Sequence, residues 1–206
     1  DISERKSAEL ALRDADRRAR IADALAFRAA RYRSFPAAQK AETALERNEG
    51  LAEYTGVMVG NDTPAERLAV AHKDLTIHAG DAGLVRSFAY ATGPAYGLLL
   101  DRYRPGWRSE IVHGGSPASL LASALHVDMS AATEIARRAA RYDGAALMAS
   151  ERKRAAVHAE RVAAYTAQLV DGPVLQLPLK HMKVQFNPSN LLPLGDAGTV
   201  YPTMHV

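Results

Sequence analysis

Four glutamates, Glu42, Glu46, Glu49 and Glu53, recur at intervals of four, three and four residues in a stretch without proline. At about 100° per residue, that spacing lays all four carboxylates along one narrow stripe of a helix. Apolar residues usually own such a stripe, because it faces a core. Like charges one turn apart repel by about 0.2–0.5 kcal/mol per pair on an exposed helix. The nearby cations Lys40 and Arg47 project from a different side, so compensation has to come from outside the helix. One source is water and salt, or arginines of the preceding segment such as Arg28 and Arg31, which would make the stripe a solvated or ion-paired face. The other is a metal ion. A carboxylate is a good zinc ligand, and a second carboxylate one turn later can hold an imidazole ligand in orientation.

The run Asn48-Glu49-Gly50-Leu51-Ala52-Glu53-Tyr54 resembles the Asn-Glu-Gly/Ala helix of the gluzincin zinc metallopeptidases, the group that includes thermolysin-like proteases and the zinc aminopeptidases. The resemblance implies that Glu49 is a protein ligand of zinc and that Glu53 supports a histidine ligand; Asn48 matches without an assigned role. A second patch, Phe88-Ala89-Tyr90-Ala91-Thr92-Gly93-Pro94-Ala95, is similar to the Tyr-x-x-Gly-Ala segment of the aminopeptidase branch. It implies that the Tyr90 hydroxyl donates to the oxyanion of a tetrahedral intermediate, with Tyr96 as the fallback. A phenol beside a metal site can act this way because the charge it meets arises only in the transition state. A lone tyrosine in an apolar helix is otherwise a half-buried packing residue. The two patches lie within residues 42–103, about a third of the chain.

The departure from the family is large. The two-histidine helix H-E-x-x-H, which would give two zinc ligands and the general base, is absent, and no two of His72, His78, His113, His126, His158, His181 and His205 are four apart. In the family that helix precedes the Asn-Glu-Gly helix, so the expectation is a piece of a longer protein whose N-terminal part supplies the rest of the site. The Gly-x-Met-x-Asn exopeptidase segment is also missing, which leaves aminopeptidase specificity unsupported. The resemblance therefore implies a zinc-dependent hydrolase of peptide or protein substrates, inactive as these 206 residues alone. Family habit adds an extracytoplasmic location, periplasmic or secreted. The alternative is a non-catalytic helical structural or interaction module whose acidic face pairs with arginines of the first helix.

Other chemistries find less support. Gly114-Gly115 after His113 lacks the strand and the Lys-Ser/Thr of a phosphate loop and reads as a helix stop. His72 and His78 do not share a helix face well and read as surface or packing residues. No serine sits in G-x-S-x-G, and with no cysteine there is no thiolate metal site, cysteine nucleophile or disulfide. Lys+Arg at 26 against Asp+Glu at 23 gives a net charge of +3, too dispersed for a nucleic-acid footprint, and residues 151–154, Glu-Arg-Lys-Arg, read as a solvated helix face. No apolar run approaches a membrane span.

The elements that must position these residues are mostly helical. With 48% hydrophobic residues the chain can bury a real core. Residues 4–33, rich in Ala, Leu and Arg without Gly or Pro, predict one long amphipathic helix carrying Leu10, Ile21, Leu25 and Phe27. Ser34 is expected to cap a second helix with Pro36 in its first turn, ending at Gly60-Asn61. Thr63-Pro64-Ala65-Glu66 is a capping box opening a helix to about His78. Residues 84–103 predict a further helix, kinked or divided at Gly93-Pro94. Short helices are expected after Pro105 and Ser116-Pro117, with Trp107 anchoring a turn, and another capped by Asp128 or Ser130. Asp143 is expected to cap a long helix over 144–170. Beyond Asp171-Gly172 the prolines and the alternation in VLQLPLKHMKVQF predict strands and loops. The expected architecture is a mainly α, gluzincin-like helical body over residues 1–170, followed over 171–206 by the start of a small β region whose partner strands lie beyond Val206.

Overall fold

The computed structural model describes residues 2–79, 81, 87–129, 134–176 and 183–205, with side chains from residue 14 onward except at 189. The chain is mainly helical. It divides into two compact units, Asp1–Arg138 and Ala139–Val206. The boundary drawn from composition, after residue 170, differs from this one by the long helix that contacts group with the C-terminal segment.

In the first unit, α1 (Ile2–Ser34) is the predicted long helix. Its apolar positions Ile21 and Leu25, one turn apart, are buried. Ser34 ends α1 rather than capping its successor: α2 (Ala38–Leu45) starts after a turn at Pro36, with Ala37 at its N-cap and no side-chain cap. A π turn (Glu46–Gly50) and α3 (Leu51–Gly60) continue the same helical run to Asn61, whose amide donates to the Val57 carbonyl. The capping box at Thr63 is formed as the residue pattern predicts, and it opens α4 (Pro64–His78). Helix α5 (Ser87–Tyr103) passes through Gly93-Pro94 without being divided, although Pro94 cannot donate to the Tyr90 carbonyl. The predicted start at residues 84–86 lies outside the described residues. α6 (Trp107–Val112) follows a left-handed Gly106, and α7 (Pro117–Leu125) opens with a second capping box, between Ser116 and Ser119. α8 (Ile135–Ala139) begins well past Asp128, and Ser130 lies outside the described residues.

The core of this unit joins Ile21 and Leu25 of α1, Tyr54 of α3, Leu100 of α5, Trp107 and Ile111 of α6, and Ala118, Leu120 and Leu121 of α7. Trp107 is fully buried, as an anchor should be. Helix α5 is the hub. It meets the π turn and α3 so closely that a Cβ on Gly93 would lie 2.1 Å from the Gly50 carbonyl oxygen, and one on Gly97 would enter the ring of Tyr54. Only glycine lets two helix backbones touch in this way. Asp14 ties α1 to the end of α5 by accepting from Tyr103 Oη at 2.7 Å and Arg102 at 3.3 Å.

In the second unit, α9 (Gly144–Leu169) is the predicted long helix, but Asp143 makes no side-chain cap bond because it sits in the left-handed region (φ 51°). Among the described residues the β pairing is short. β1 (Leu192–Pro193) and β2 (Thr199–Val200) pair antiparallel, and Gln185 bridges His205, so the pairing found is local. Residues 173–176 and 183–184 carry no strand, and 177–182 lie outside the described residues. Among the described residues no helix is long and apolar enough to cross a membrane.

Candidate functional site

The acidic stripe is divided in two by the π turn. Widening one turn by a residue rotates the succeeding residues back by about 100° relative to a continuous α-helix, so the upper and lower carboxylates meet different neighbours. Toward α1, Glu42 accepts from Arg31 Nε at 3.0 Å and Nη2 at 2.5 Å. Glu46 is 1% exposed and takes both arms of the Arg28 fork, with Nη1 donating to Oε2 at 2.6 Å and Nη2 to Oε1. The two arginines are those named from the sequence as possible compensators.

Aromatic groups complete the Arg28 environment. Its guanidinium lies 5.0 Å from the ring centroid of Tyr96 and 5.8 Å from that of Tyr32, and Nη1 also donates to Tyr32 Oη at 3.3 Å. Burial works against the Arg28 charge, but the Glu46 hydrogen bonds outweigh it and hold the guanidinium above its ordinary range. Burial also pushes the Tyr96 hydroxyl up. Tyr96 thus packs with this buried pair rather than against Glu49.

Toward α5 the stripe behaves differently. Tyr90 Oη donates to Glu49 Oε2 at 2.5 Å. The bond follows from the helix crossing: Gly50, next to Glu49, presses on Gly93, one turn from Tyr90, so the two motif patches are brought together at their glycines. Glu49 is half-buried and Tyr90 is 37% exposed, leaving the pair accessible from solvent. Glu49 Oε1 takes no hydrogen bond from a described residue. Glu53, one turn on, is half-buried and makes no hydrogen bond or ion pair with a described residue.

As a metal centre the arrangement is partial. Glu49 offers one carboxylate, and among the described residues no three His, Asp or Glu side chains are grouped to hold a metal ion. A zinc site takes at least three protein ligands, so these residues fit the role of one ligand and do not make a site. The histidines do not gather here: His78 pairs with Asp81 at 2.7 Å, His113 Nδ1 lies 2.7 Å from the Ser109 carbonyl, His72, His126, His158 and His205 are exposed, and His181 is outside the described residues. Nor do two cavities in the described part of the first unit reach the pair. One of about 300 Å³ runs between Ile21, Leu25, Leu75, Leu99 and Leu121, and a more open one lies along Gln39, Lys40 and Arg47 of α2 and the π turn.

A polar cluster that sequence reasoning missed lies behind the same helices. Asp101 of α5 accepts from Tyr54 Oη at 2.5 Å, Trp107 Nε1 at 2.9 Å and Arg108 Nη1 at 2.9 Å. Burial opposes its charge, but these three donors prevail and hold its carboxyl below the usual range; burial first and Asp101 second push the Tyr54 hydroxyl up. Tyr54 closes the Asn-Glu-Gly run, yet its partner is 47 residues away, and nothing in local spacing links them. Asp23, 1% exposed on α1, similarly pairs with Arg138 of α8. Both clusters fix helix positions and neither touches Glu49.

Comparison of the chain with family models, with curated proteins and with solved structures found no match.

Proposed function

We propose that this chain carries one part of a gluzincin-type zinc metallopeptidase site and hydrolyses peptide bonds only together with polypeptide that supplies the H-E-x-x-H helix. Glu49 is the ligand this chain contributes, Glu53 orients one of the histidines, and Tyr90 donates to the oxygen that gains charge during attack on a peptide carbonyl. Zinc, when bound, supplies the Lewis acidity for that attack by water. The general base comes from outside these residues. The observation that supports this reading is the 2.5 Å hydrogen bond between Tyr90 and Glu49, two residues singled out separately from patches 41 positions apart. Tyr96, directed at Arg28, is set aside as the alternative donor.

A second reading, a helical structural or interaction module without chemistry, draws on the other half of the stripe, where Arg28 and Arg31 already neutralise Glu46 and Glu42. Metal analysis separates the two. In a protein that includes the histidine helix, the peptidase reading expects one zinc per chain, lost in Glu49→Gln; the module expects no dependence on Glu49.

A further inference from the structure

The π turn is the one departure from α-helical geometry between Ala38 and Gly60. Its defining bond runs from the Leu51 N–H to the Glu46 carbonyl, five residues back. Such turns are rare and gather at functional sites. Nothing local in Glu-Arg-Asn-Glu-Gly demands one: four of its five residues are compatible with ordinary helix, and the glycine weakens helix without choosing its pitch. The explanation has to be tertiary, and two contacts coincide with the ends of the turn.

At its first residue, the Glu46 side chain is gripped by both arms of Arg28, the two side chains being 2% and 12% exposed. At its last residue, Gly50 is wedged against the backbone of Gly93. Between these clamps Arg47 makes no ion pair with a described residue and Asn48 is exposed, so neither fixes the turn. Glu49 is the residue that the clamped turn directs onto Tyr90. A continuous α-helix would return it to the stripe that faces α1.

We infer that Arg28 and Glu46 are positioning residues for Glu49: their ion pair holds the π turn and thereby keeps the Glu49 carboxylate turned onto Tyr90. The inference rests on the reading of Glu49 and Tyr90 as a site and extends that site to two residues that touch neither. A bidentate pair suits this task better than an apolar contact, because the planar fork fixes the direction as well as the distance of the carboxylate it holds.

The test uses the full chain and needs no metal. Arg28→Met with Glu46→Leu removes both charges at similar volume, a replacement that buried ion pairs commonly tolerate. Coupling between Glu49 and Tyr90 is then measured by a double-mutant cycle of Glu49→Gln and Tyr90→Phe on the unfolding equilibrium, in the unaltered and in the replaced background. Expected is a coupling of about tenfold in the equilibrium constant with the pair present, and none without it. In the replaced background, exchange of the Leu51 amide and nuclear Overhauser contacts across residues 46–50 should change to those of a continuous α-helix. Equal coupling in both backgrounds, or an unchanged π pattern, overturns the inference. If the double variant does not fold, Arg28→Lys takes its place: it keeps the charge and loses the fork, and a coupling that it leaves intact overturns the inference equally. In a protein that adds the proposed histidine helix, the replaced pair should lower zinc affinity about 10- to 100-fold, the range for groups that orient a ligand. Coupling that depends on the pair, with zinc retention indifferent to Glu49→Gln, upholds the positioning role and removes the peptidase reading; the opposite pattern removes the positioning role alone.

Discussion

Substituting Glu46 by Gln should be among the most costly single changes on α2 and the π turn. The variant keeps the side-chain size and leaves Arg28, 12% exposed, as a buried cation facing a neutral amide. Removing one partner of a buried ion pair costs about 3–5 kcal/mol. Arg28 retains the Tyr96 ring at 5.0 Å and Tyr32 Oη at 3.3 Å, and a cation–π contact of about 1 kcal/mol places the expected loss at the lower end, about 3 kcal/mol. Glu42→Gln is the matched control. Its partner Arg31 is 54% exposed, so solvent screens the pair and the loss should stay below about 1 kcal/mol. Urea unfolding followed by far-ultraviolet circular dichroism at neutral pH reads the difference. With an m-value of ~2 kcal/mol/M, Glu46→Gln should lower the midpoint by about 1.5 M at constant m, and Glu42→Gln by under ~0.5 M. Equal shifts for the two variants would refute the claim that burial, and not charge spacing, decides what each glutamate contributes.

Gly93→Ala should destabilise by about 1–3 kcal/mol or more, because its methyl carbon would meet the Gly50 backbone at 2.1–2.5 Å, while Gly56→Ala, with open space around the new carbon, should stabilise by roughly 0.5–1 kcal/mol; thermal unfolding compares them. Asp14, held down to about 2 by hydrogen bonds from Arg18 and then Tyr103, has a folded pKa below its ordinary 3.8. Its contribution is therefore complete above about pH 4 and lost as pH falls through about 2, so Asp14→Asn should flatten the acid limb of stability between pH 4 and 2 and leave its slope near neutrality unchanged. Binding of zinc to the 206-residue chain alone should be weak and without peptide hydrolysis, since one carboxylate is not a site; calorimetry showing tight 1:1 zinc would contradict this.

Local chemistry was legible in the residues. The Thr63 capping box, the stops at Gly60-Asn61 and His78, the anchor at Trp107, and Arg28 and Arg31 as partners of the stripe all follow from rules that act within a turn or between adjacent helices. Ser34 and Asp143 show where such rules fail, since each has a capping side chain but a backbone that places it elsewhere. The π turn left no trace in composition because tertiary clamps at Glu46 and Gly50 account for it. Glycines 50 and 93 were visible as motif letters, yet their mutual contact belongs to a crossing that spacing within one helix cannot encode. Asp101 with Tyr54, and Asp23 with Arg138, are likewise non-local pairs. In the C-terminal unit, the described part of the alternating stretch forms one bridge, Gln185 with His205, and the paired strands are the local β1 and β2.

The most direct measurement is the zinc content of a protein that joins this chain to the proposed H-E-x-x-H helix, wild type against Glu49→Gln, after exhaustive dialysis. One zinc per chain in the wild type and a loss of at least tenfold in retention in the variant is the predicted result. Equal zinc in both proteins, or none in either, would contradict the assignment of Glu49 as a metal ligand.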